Sequence, residues 1–366
     1  MVGLIRAKSR VEISEQPSSA QVSIILPVLN EAKRIDRCLT TLIAQPPEVK
    51  EILVVDGGSI DATPTIVERY HRVDARVRLV NATPVDASWT GKAWGIHFGL
   101  QQAAEAAEWI LTVDADLWVS PKLIRSLLAH AEHTRVNAFS IATRQHLSGK
   151  VEAVLHPALL ATLVYRYGSP GRAHVDVHRV QANGQCFMSR RKLLLDTGAV
   201  RAARSSLCED MTIARRLAQC GHAVGFYESD GLADVSMYDH WRDTWNNWPR
   251  SLALRDQYFG WREVIGLMGI FLGQALPMPA LLLGLVSPMP VFLTVLLAGL
   301  LALRLGVLFG MARAYPGRPW TYWLSPAADF PAVLRIIQFA LRKRHSWRGR
   351  TYIRRKGGKF EPVIQP

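Results

Sequence analysis

The stretch "ILTVDADLWVSP" (residues 110–121) begins with an apolar run, Ile110 to Val113, that stops at two aspartates one residue apart, Asp114 and Asp116. The stretch "EILVVDGGSIDAT" (51–63) repeats the pattern, and its apolar run ends on Asp56. Short apolar runs bounded by turn residues read as buried strands. "VSIILPV" (22–28) and "VRLVNA" (77–82) read the same way. Helical segments separate them. In "NEAKRIDRCLTTLIAQ", Ile35, Leu39 and Leu42 share one helical face. "GGSIDATPTIVERYHR" is a turn followed by a helix that Asp61 or Thr63 can cap, and "GKAWGIHFGLQQAAEAA" is a third helix. Strands alternating with helices at this spacing predict an α/β fold with a parallel sheet. Ligands of such sheets bind at the carboxyl ends of the strands, so Asp56, Asp114 and Asp116 are expected in one crevice. Carboxylates gathered there repel one another unless a cation or a donor-rich ligand joins them. A hard divalent ion takes oxygen ligands and shares them with phosphates. The pattern therefore predicts Mg²⁺ or Mn²⁺ together with a diphosphate.

The chain has 366 residues, 49% of them hydrophobic, which excludes global disorder. Its four cysteines show no CxxC spacing, which argues for a reduced compartment and against structural zinc. The net charge is +14, yet residues 342–359, "RKRHSWRGRTYIRRKGGK", hold nine Lys/Arg and no acid. Nucleic acid is one partner for such a tail, and the adjoining sequence argues against it. From Val264 to Leu303 no residue is charged. Two transmembrane helices fit there, about 264–286 and 289–311, with Arg304 inside the second, placed to snorkel or to pair with protein. Residues 322–341 contain Asp329, Arg335 and two prolines and suit an interfacial helix. The expected organisation is a polar lead-in (1–20), a catalytic domain (21–260), a membrane region (261–341) and a basic tail (342–366). Two crossings and a cationic tail near anionic lipid place the catalytic domain on the cytoplasmic side of a multi-pass membrane protein.

With these residues in view, the chain resembles an inverting family-2 glycosyltransferase of GT-A fold. "ILPVLNE", "VVDGGSIDAT", "TGKAWGIHFG", "DAD" and "CEDMTIARRL" occur in the family's order. Position 55 departs from the family: Val55 stands where an aspartate is usual. "WTGKAWG", "WRGRTY" and "WNNWPRSLALRDQY" are similar to the lipid-modifying branch that includes carotenoid and hopanoid-associated enzymes. The QxxRW of polysaccharide synthases does not occur. The resemblance implies transfer of a sugar from a nucleotide sugar to a lipid hydroxyl, with a carotenoid or related terpenoid alcohol preferred. A polyprenyl phosphate is the alternative acceptor within the class. A nucleotidyltransferase, which can also use a strand-end carboxylate pair, and a non-catalytic sugar-nucleotide binder are the rivals outside it; Asp210 in "CED" opposes the first, and the "DAD" and "ED" stretches oppose the second.

The residue roles follow from that resemblance. Asp116 is the expected metal ligand, supported by Asp114. Pro27, Asn30, Glu31, Asp56, Ser59, Lys92, Asp114 and Arg250 are expected on the donor. For Glu31 the donor role is preferred over the other reading, an exposed first-turn acid. Lys92 lies in "TGK", but a phosphate-binding P-loop fails because position 86 is Asp and position 93 is Ala. Asp210 is the expected general base and Glu209 its orienting neighbour, although two acids also suit the first turn of a helix. Gly184 and Gln185 are expected near the acceptor or sugar. Trp245 and Trp248 read either as a lid over the acceptor or as an interfacial aromatic belt. "HVDVH" (174–178) allows a metal site but reads more simply as a strand or loop with one polar face.

Overall fold

The computed structural model describes residues 9–253, 255–347 and 350–363. The chain forms two compact units. One comprises residues 1–143, 170–235 and 348–366, and the other 144–169 and 236–347.

In the first unit, strands β1 (Val22–Val28), β2 (Val49–Asp56), β3 (Val77–Asn81) and β4 (Trp109–Val113) alternate with helices α1 (Ile35–Ile43), α2 (Thr63–Val73) and α3 (Gly91–Gln102). Next come β5 (Leu117–Val119), α4 (Leu123–Thr134) and β6 (Ala138–Ala142). The second unit contributes β7 (Arg144–Gln145) and α5 (Glu152–Tyr167). The first unit resumes with β8 (Arg172–His174), β9 (Cys186–Arg190), α6 (Arg191–Thr197), α7 (Ala199–Ala202), α8 (Glu209–Gln219), β10 (Val224–Glu228) and β11 (Ala233–Val235). Its main sheet has the order β3-β2-β1-β4-β9-β6-β10-β8. The β1 to β4 half is parallel as expected. The sheet as a whole is mixed: β9 runs antiparallel between β4 and β6, and β8 runs antiparallel on β10.

Side chains alternate across each strand, so the continuous apolar runs fill two cores. Ile24 and Leu26 of β1, Ile52 and Val54 of β2, and Leu111 and Val113 of β4 pack on one face with Leu39 and Leu42 of α1. Ile25, Leu53, Val55 and Ile110 pack on the other, with Ala93 and Ile96 of α3. Val55 thus faces the core. The register pairs Val28 with Asp56 and Asp56 with Asn81, so the carboxyl ends of β1, β2 and β3 lie level. The second half of the polar lead-in is docked too. Val11 is fully buried, and its N–H donates to the Glu228 carbonyl at 3.0 Å.

Helix α3 lies unusually close to the sheet. A Cβ at Gly95 would stand 2.8 Å from Pro27 Cβ, and one at Gly99 would stand 2.6 Å from Ile25 Cγ2 and 3.0 Å from Val55 Cγ2. These glycines at i and i+4 let the backbone approach the strands that carry Pro27 and Asp56.

In the second unit, α9 (Trp241–Leu252), α10 (Trp261–Ile270), α12 (Val291–Met311) and α13 (Asp329–Leu341) pack with α5, and α11 (Pro277–Gly284) packs on α12; β12 (Arg344–Trp347) follows them in the chain. Three segments are long and apolar enough to cross a membrane: Trp261–Gly284, Val291–Ala314 and Trp320–Leu341. Their outer surfaces are apolar, with Val286, Phe292 and Phe309 each about three-quarters exposed or more. So large an exposed apolar surface marks a lipid or partner contact. Arg304 neither snorkels nor faces outward. It is buried, and its Nε donates to Asp329 Oδ2 at 2.8 Å while Nη2 reaches Ser325 Oγ and Asp329 Oδ1, each at 3.0 Å. Gln274 Nε2 donates to the same aspartate at 2.8 Å.

Residues 350–363, expected as part of a basic tail, belong to the first unit. Strands β13 (Arg350–Arg354) and β14 (Phe360–Pro362) pair antiparallel, Tyr352 opposite Pro362.

The close approach of α3 yields a prediction. Gly99→Val places a branched side chain against Ile25 and Val55, both fixed in strands, and overpacking of this kind costs about 1–3 kcal/mol. The melting temperature of the detergent-solubilised full chain should fall by several degrees, whereas Gly149→Ala, at a position with open space around it, should leave it unchanged.

Candidate active site

The carboxyl edge of the parallel strands gathers charged groups from three places in the sequence and a glycine from a fourth. Asp114 and Asp116 follow β4. Lys92 lies in the first turn of α3. Glu209 and Asp210 open α8, and Gly184 precedes β9. The Lys92 ammonium bridges them: Nζ is 2.7 Å from Asp114 Oδ1 and 2.7 Å from Glu209 Oε1. The Gly184 N–H donates to Asp210 Oδ2 at 2.7 Å. A Cβ at Gly184 would stand 3.1 Å from Lys92 Nζ and 3.2 Å from Asp210 Oδ2, tighter than most Cβ contacts. Glycine is the residue that lets these groups meet.

The electrostatics follow from crowding in a partly dry cleft. Burial, then the charges of Asp114 and Glu31, push the Asp116 carboxyl up to about 8, against Arg34 and Lys92. Burial, then Glu209, push Asp210 up to about 7, against Lys92 and the N–H groups of Met211 and Gly184. Burial pulls Lys92 down, but Asp114, Glu209 and Asp210 outweigh it and hold the ammonium well above its ordinary value. Asp116 Oδ1 is buried with no hydrogen-bond partner among the described residues. Among those residues no group of three or more His, Cys, Asp or Glu is placed to hold a metal, and the "HVDVH" stretch makes none. His174 lies on β8, and the His178 N–H donates to Asp176 Oδ1 at 2.9 Å.

Other expected residues prove to be held by local bonds. Asp56 Oδ1 accepts from the N–H groups of Gly58 and Ser59 and from Ser59 Oγ, at 3.2, 2.9 and 2.7 Å. Ser59 Oγ accepts from the Asn30 N–H at 2.9 Å, and Asn30 Oδ1 accepts from the Ile60 N–H at 2.9 Å. Asn30 has φ +56°, a left-handed conformation that asparagine tolerates. Asn30 and Ser59 therefore stitch the β1–α1 loop to the β2–α2 loop and shape the cleft wall. The Glu31 N–H joins the same seam through Thr63 Oγ1 at 2.9 Å. Gln185 Oε1 is engaged by Thr143 Oγ1 at 2.6 Å and by Asn183 Nδ2 at 3.2 Å, which turns its side chain to the structure of the loop.

Trp245, Trp248 and Arg250 lie on α9 of the second unit. Trp248 is a core residue stacked on His156 at 4.0 Å, so it serves neither as a mobile lid nor as an exposed belt. Arg250 is buried in the same unit. Trp245 lies under the Arg335 guanidinium at 5.4 Å.

Arg350 and Tyr352 do not figure in the site read from sequence. Arg350 Nη2 donates to the Gly57 carbonyl at 3.5 Å, and the Gly91 N–H donates to Tyr352 Oη at 3.4 Å. Gly57 follows Asp56, and Gly91 precedes Lys92. The signal available was the alternation in "RTYIR", which suits a strand better than a solvated tail.

The raised carboxyls give the stability a defined pH dependence. A folded-state pKa above the unfolded value stabilises the fold fully at low pH, and that contribution is lost as pH rises through the folded pKa. Asp116, ordinarily near 3.8 and here about 8, should make the metal-free protein progressively less stable as pH rises between about 4 and 8. Thermal melting over that range should show a smaller decline for Asp116→Asn than for the parent chain. Equal declines would mean that the Asp116 carboxylate is solvated.

Residues 23–198 match the family described as Glycosyl transferase family 2. The chain is 22% identical over 241 residues to the 4,4'-diaponeurosporenoate glycosyltransferase of Staphylococcus haemolyticus, an alignment covering 66% of this chain and 63% of that one. It is 30% identical over 112 residues to EpsH of Bacillus subtilis and 34% identical over 78 residues to the glycosyltransferase AglE of Haloferax volcanii. Those alignments span only 30% and 26% of the two relatives. In three dimensions the chain is similar to the mannosyltransferase PcManGT from Pyrobaculum calidifontis, solved with GDP-Man and Mn²⁺. The TM-score is 0.54 at 19% identity, covering 89% of this chain and 91% of that one. The fold, the order of the site residues along it and the family match agree: the chain carries a Glycosyl transferase family 2 domain with a GT-A-like fold.

Proposed function

We propose that this protein transfers one sugar from a nucleoside diphosphate sugar to the hydroxyl of a membrane lipid, with inversion at the anomeric carbon. The observation that carries this reading is Asp210, a carboxylate raised to about 7, fixed by the Gly184 N–H and set beside Lys92. A base whose pKa lies near the working pH is both available and effective. Asp210 takes the proton of the acceptor hydroxyl as that oxygen attacks the anomeric carbon. The bond from that carbon to the β-phosphate oxygen breaks on the opposite face, and the nucleoside diphosphate leaves with the electron pair. Glu209 orients Lys92, and Lys92 exchanges a carboxylate for the diphosphate as the donor enters. Asp56 and Glu31 face the nucleoside.

The site suits a divalent metal. Asp116 offers a buried carboxylate oxygen with no other partner among the described residues, and Asp114 stands beside it. Two carboxylates alone do not fill a coordination sphere, which fits a hard ion that takes the rest from phosphate oxygens and water. Bound there, Mg²⁺ or Mn²⁺ would neutralise the charge that develops on the leaving diphosphate.

A lipid acceptor is supported by the long apolar segments of the second unit and by a relative whose name specifies a carotenoid-type acid as its acceptor. A carotenoid or related terpenoid alcohol is the preferred substrate. The β13–β14 hairpin, which follows the apolar segments, belongs to the catalytic unit. That supports an even number of crossings, two helices with residues 322–341 in the interface. The cationic stretch then places both ends on the cytoplasmic side.

The test is sugar transfer from a panel of labelled nucleotide sugars into lipid extracts by the full chain in detergent. Chelator should stop transfer and Mn²⁺ or Mg²⁺ should restore it. Asp210→Asn should lower turnover by about 10²–10⁴ while nucleotide affinity stays near that of the parent. A retained anomeric configuration in the product, or normal turnover by Asp210→Asn, would overturn the mechanism.

A further inference from the structure

We propose that Arg350, carried back to the catalytic unit by the C-terminal hairpin, is a donor-binding residue that grips the diphosphate of the nucleotide. The proposal rests on the nucleotide-sugar reading and adds to it a residue far from the family-2 region.

The hairpin is anchored on the catalytic unit. Tyr352 and Phe360 are buried, and the Phe360 N–H donates to the Ser205 carbonyl at 2.8 Å. Side chains two apart on a strand point the same way, so Arg350 and Tyr352 share a face. Tyr352 Oη meets the Gly91 N–H at the start of α3. Arg350 Nη1 lies 3.5 Å from where a Cβ at Gly91 would stand, and Nη2 makes the long bond to the Gly57 carbonyl. The guanidinium therefore spans from the residue after Asp56 to the residue before Lys92. In the proposed donor pose, that is the path from nucleoside to diphosphate.

The charge balance points the same way. Arg350 is only partly exposed, and among the described residues the 3.5 Å bond to Gly57 is the sole hydrogen bond of its side chain and it has no ion pair. A guanidinium has five donors in a planar fork that matches phosphate oxygens. Holding such a cation in a partly dry site without a counter-charge is unfavourable, and an arriving anion removes that penalty. Lys92, the residue after Gly91, is already neutralised by Asp114 and Glu209. Arg350, with no ion pair among the described residues, keeps an unmet demand for an anion. Exposed Arg355, by contrast, is paired with Glu361 at 2.8 Å.

Calorimetric titration of the full chain in neutral detergent, with Mn²⁺, tests this. The probes are UDP, GDP, TDP and ADP, each beside its uncharged nucleoside. For whichever diphosphate binds the parent chain, Arg350→Ala should weaken it by about tenfold or more, the loss of one charge-assisted contact. Arg350→Lys should fall between, because a point charge cannot grip two oxygens. Nucleoside binding and Arg355→Ala should match the parent. Unchanged diphosphate affinity in Arg350→Ala, with or without a lower melting temperature, would overturn the proposal and reduce Arg350 to a tie on the Gly57 loop. So would a defect confined to binding of phosphatidylglycerol vesicles, which would assign the guanidinium to lipid. A parent chain that binds none of the four diphosphates would instead overturn the nucleotide-sugar reading, and this role with it.

Discussion

One ammonium group sets the terms for this site. Lys92 stands 2.7 Å from Asp114 and 2.7 Å from Glu209, with Asp210 and Asp116 close enough to feel its charge. Without a cation, carboxylates from β4 and α8 could not be held together, because each would raise the proton affinity of the next. With one cation the cluster is still short of positive charge, and Asp116 and Asp210 remain raised. Burial and that shortage together raise Asp116 to about 8 and Asp210 to about 7.

The position of Lys92 depends in turn on backbone geometry. Helix α3 brings Lys92 to the strand ends only because Gly95 and Gly99 let it settle on Pro27, Ile25 and Val55. Gly184 does the same for the opposite wall, where its N–H reaches Asp210 and no side chain intervenes. The loop seam of Asn30, Ser59 and Asp56 fixes the third side. Several residues that look functional in sequence thus also shape the cleft. Polar side chains at strand ends must satisfy the turns they sit in before they can serve a ligand.

The second unit shows the same rule in apolar surroundings. Its helices present hydrocarbon outward and keep polar groups inward, where Arg304 and Asp329 neutralise each other and Gln274 and Ser325 complete their hydrogen bonds. Breaking such a pair from one side leaves a buried charge, which is costly. A charge inside an apolar helix is therefore a sign of a partner on another segment, here the one that begins at residue 320.

Local pattern was enough to place the elements of the first half of the catalytic unit and the longest apolar segments. The runs that end on Asp56 and Val113, the helices with Leu39 and Ala93, and the two longest apolar segments are readable because burial and periodicity are properties of neighbours in sequence. Asp210, Lys92 and Asp114 were also legible as candidates, since their motifs are contiguous. Contacts between distant segments were not. Nothing local tells that β9 enters antiparallel between β4 and β6, that Trp248 stacks on His156 instead of facing a ligand, or that Gln185 turns to Thr143. Least legible was the cationic C-terminal stretch. By composition it is a solvated tail, but residues 350–363 form a hairpin on the catalytic unit, with Tyr352 at the start of α3 more than 250 positions away in the chain. Sequence determines which groups are apolar or charged and at what period. Which charges end up without a counter-charge depends on every segment that folds against them, and only the tertiary structure decides that.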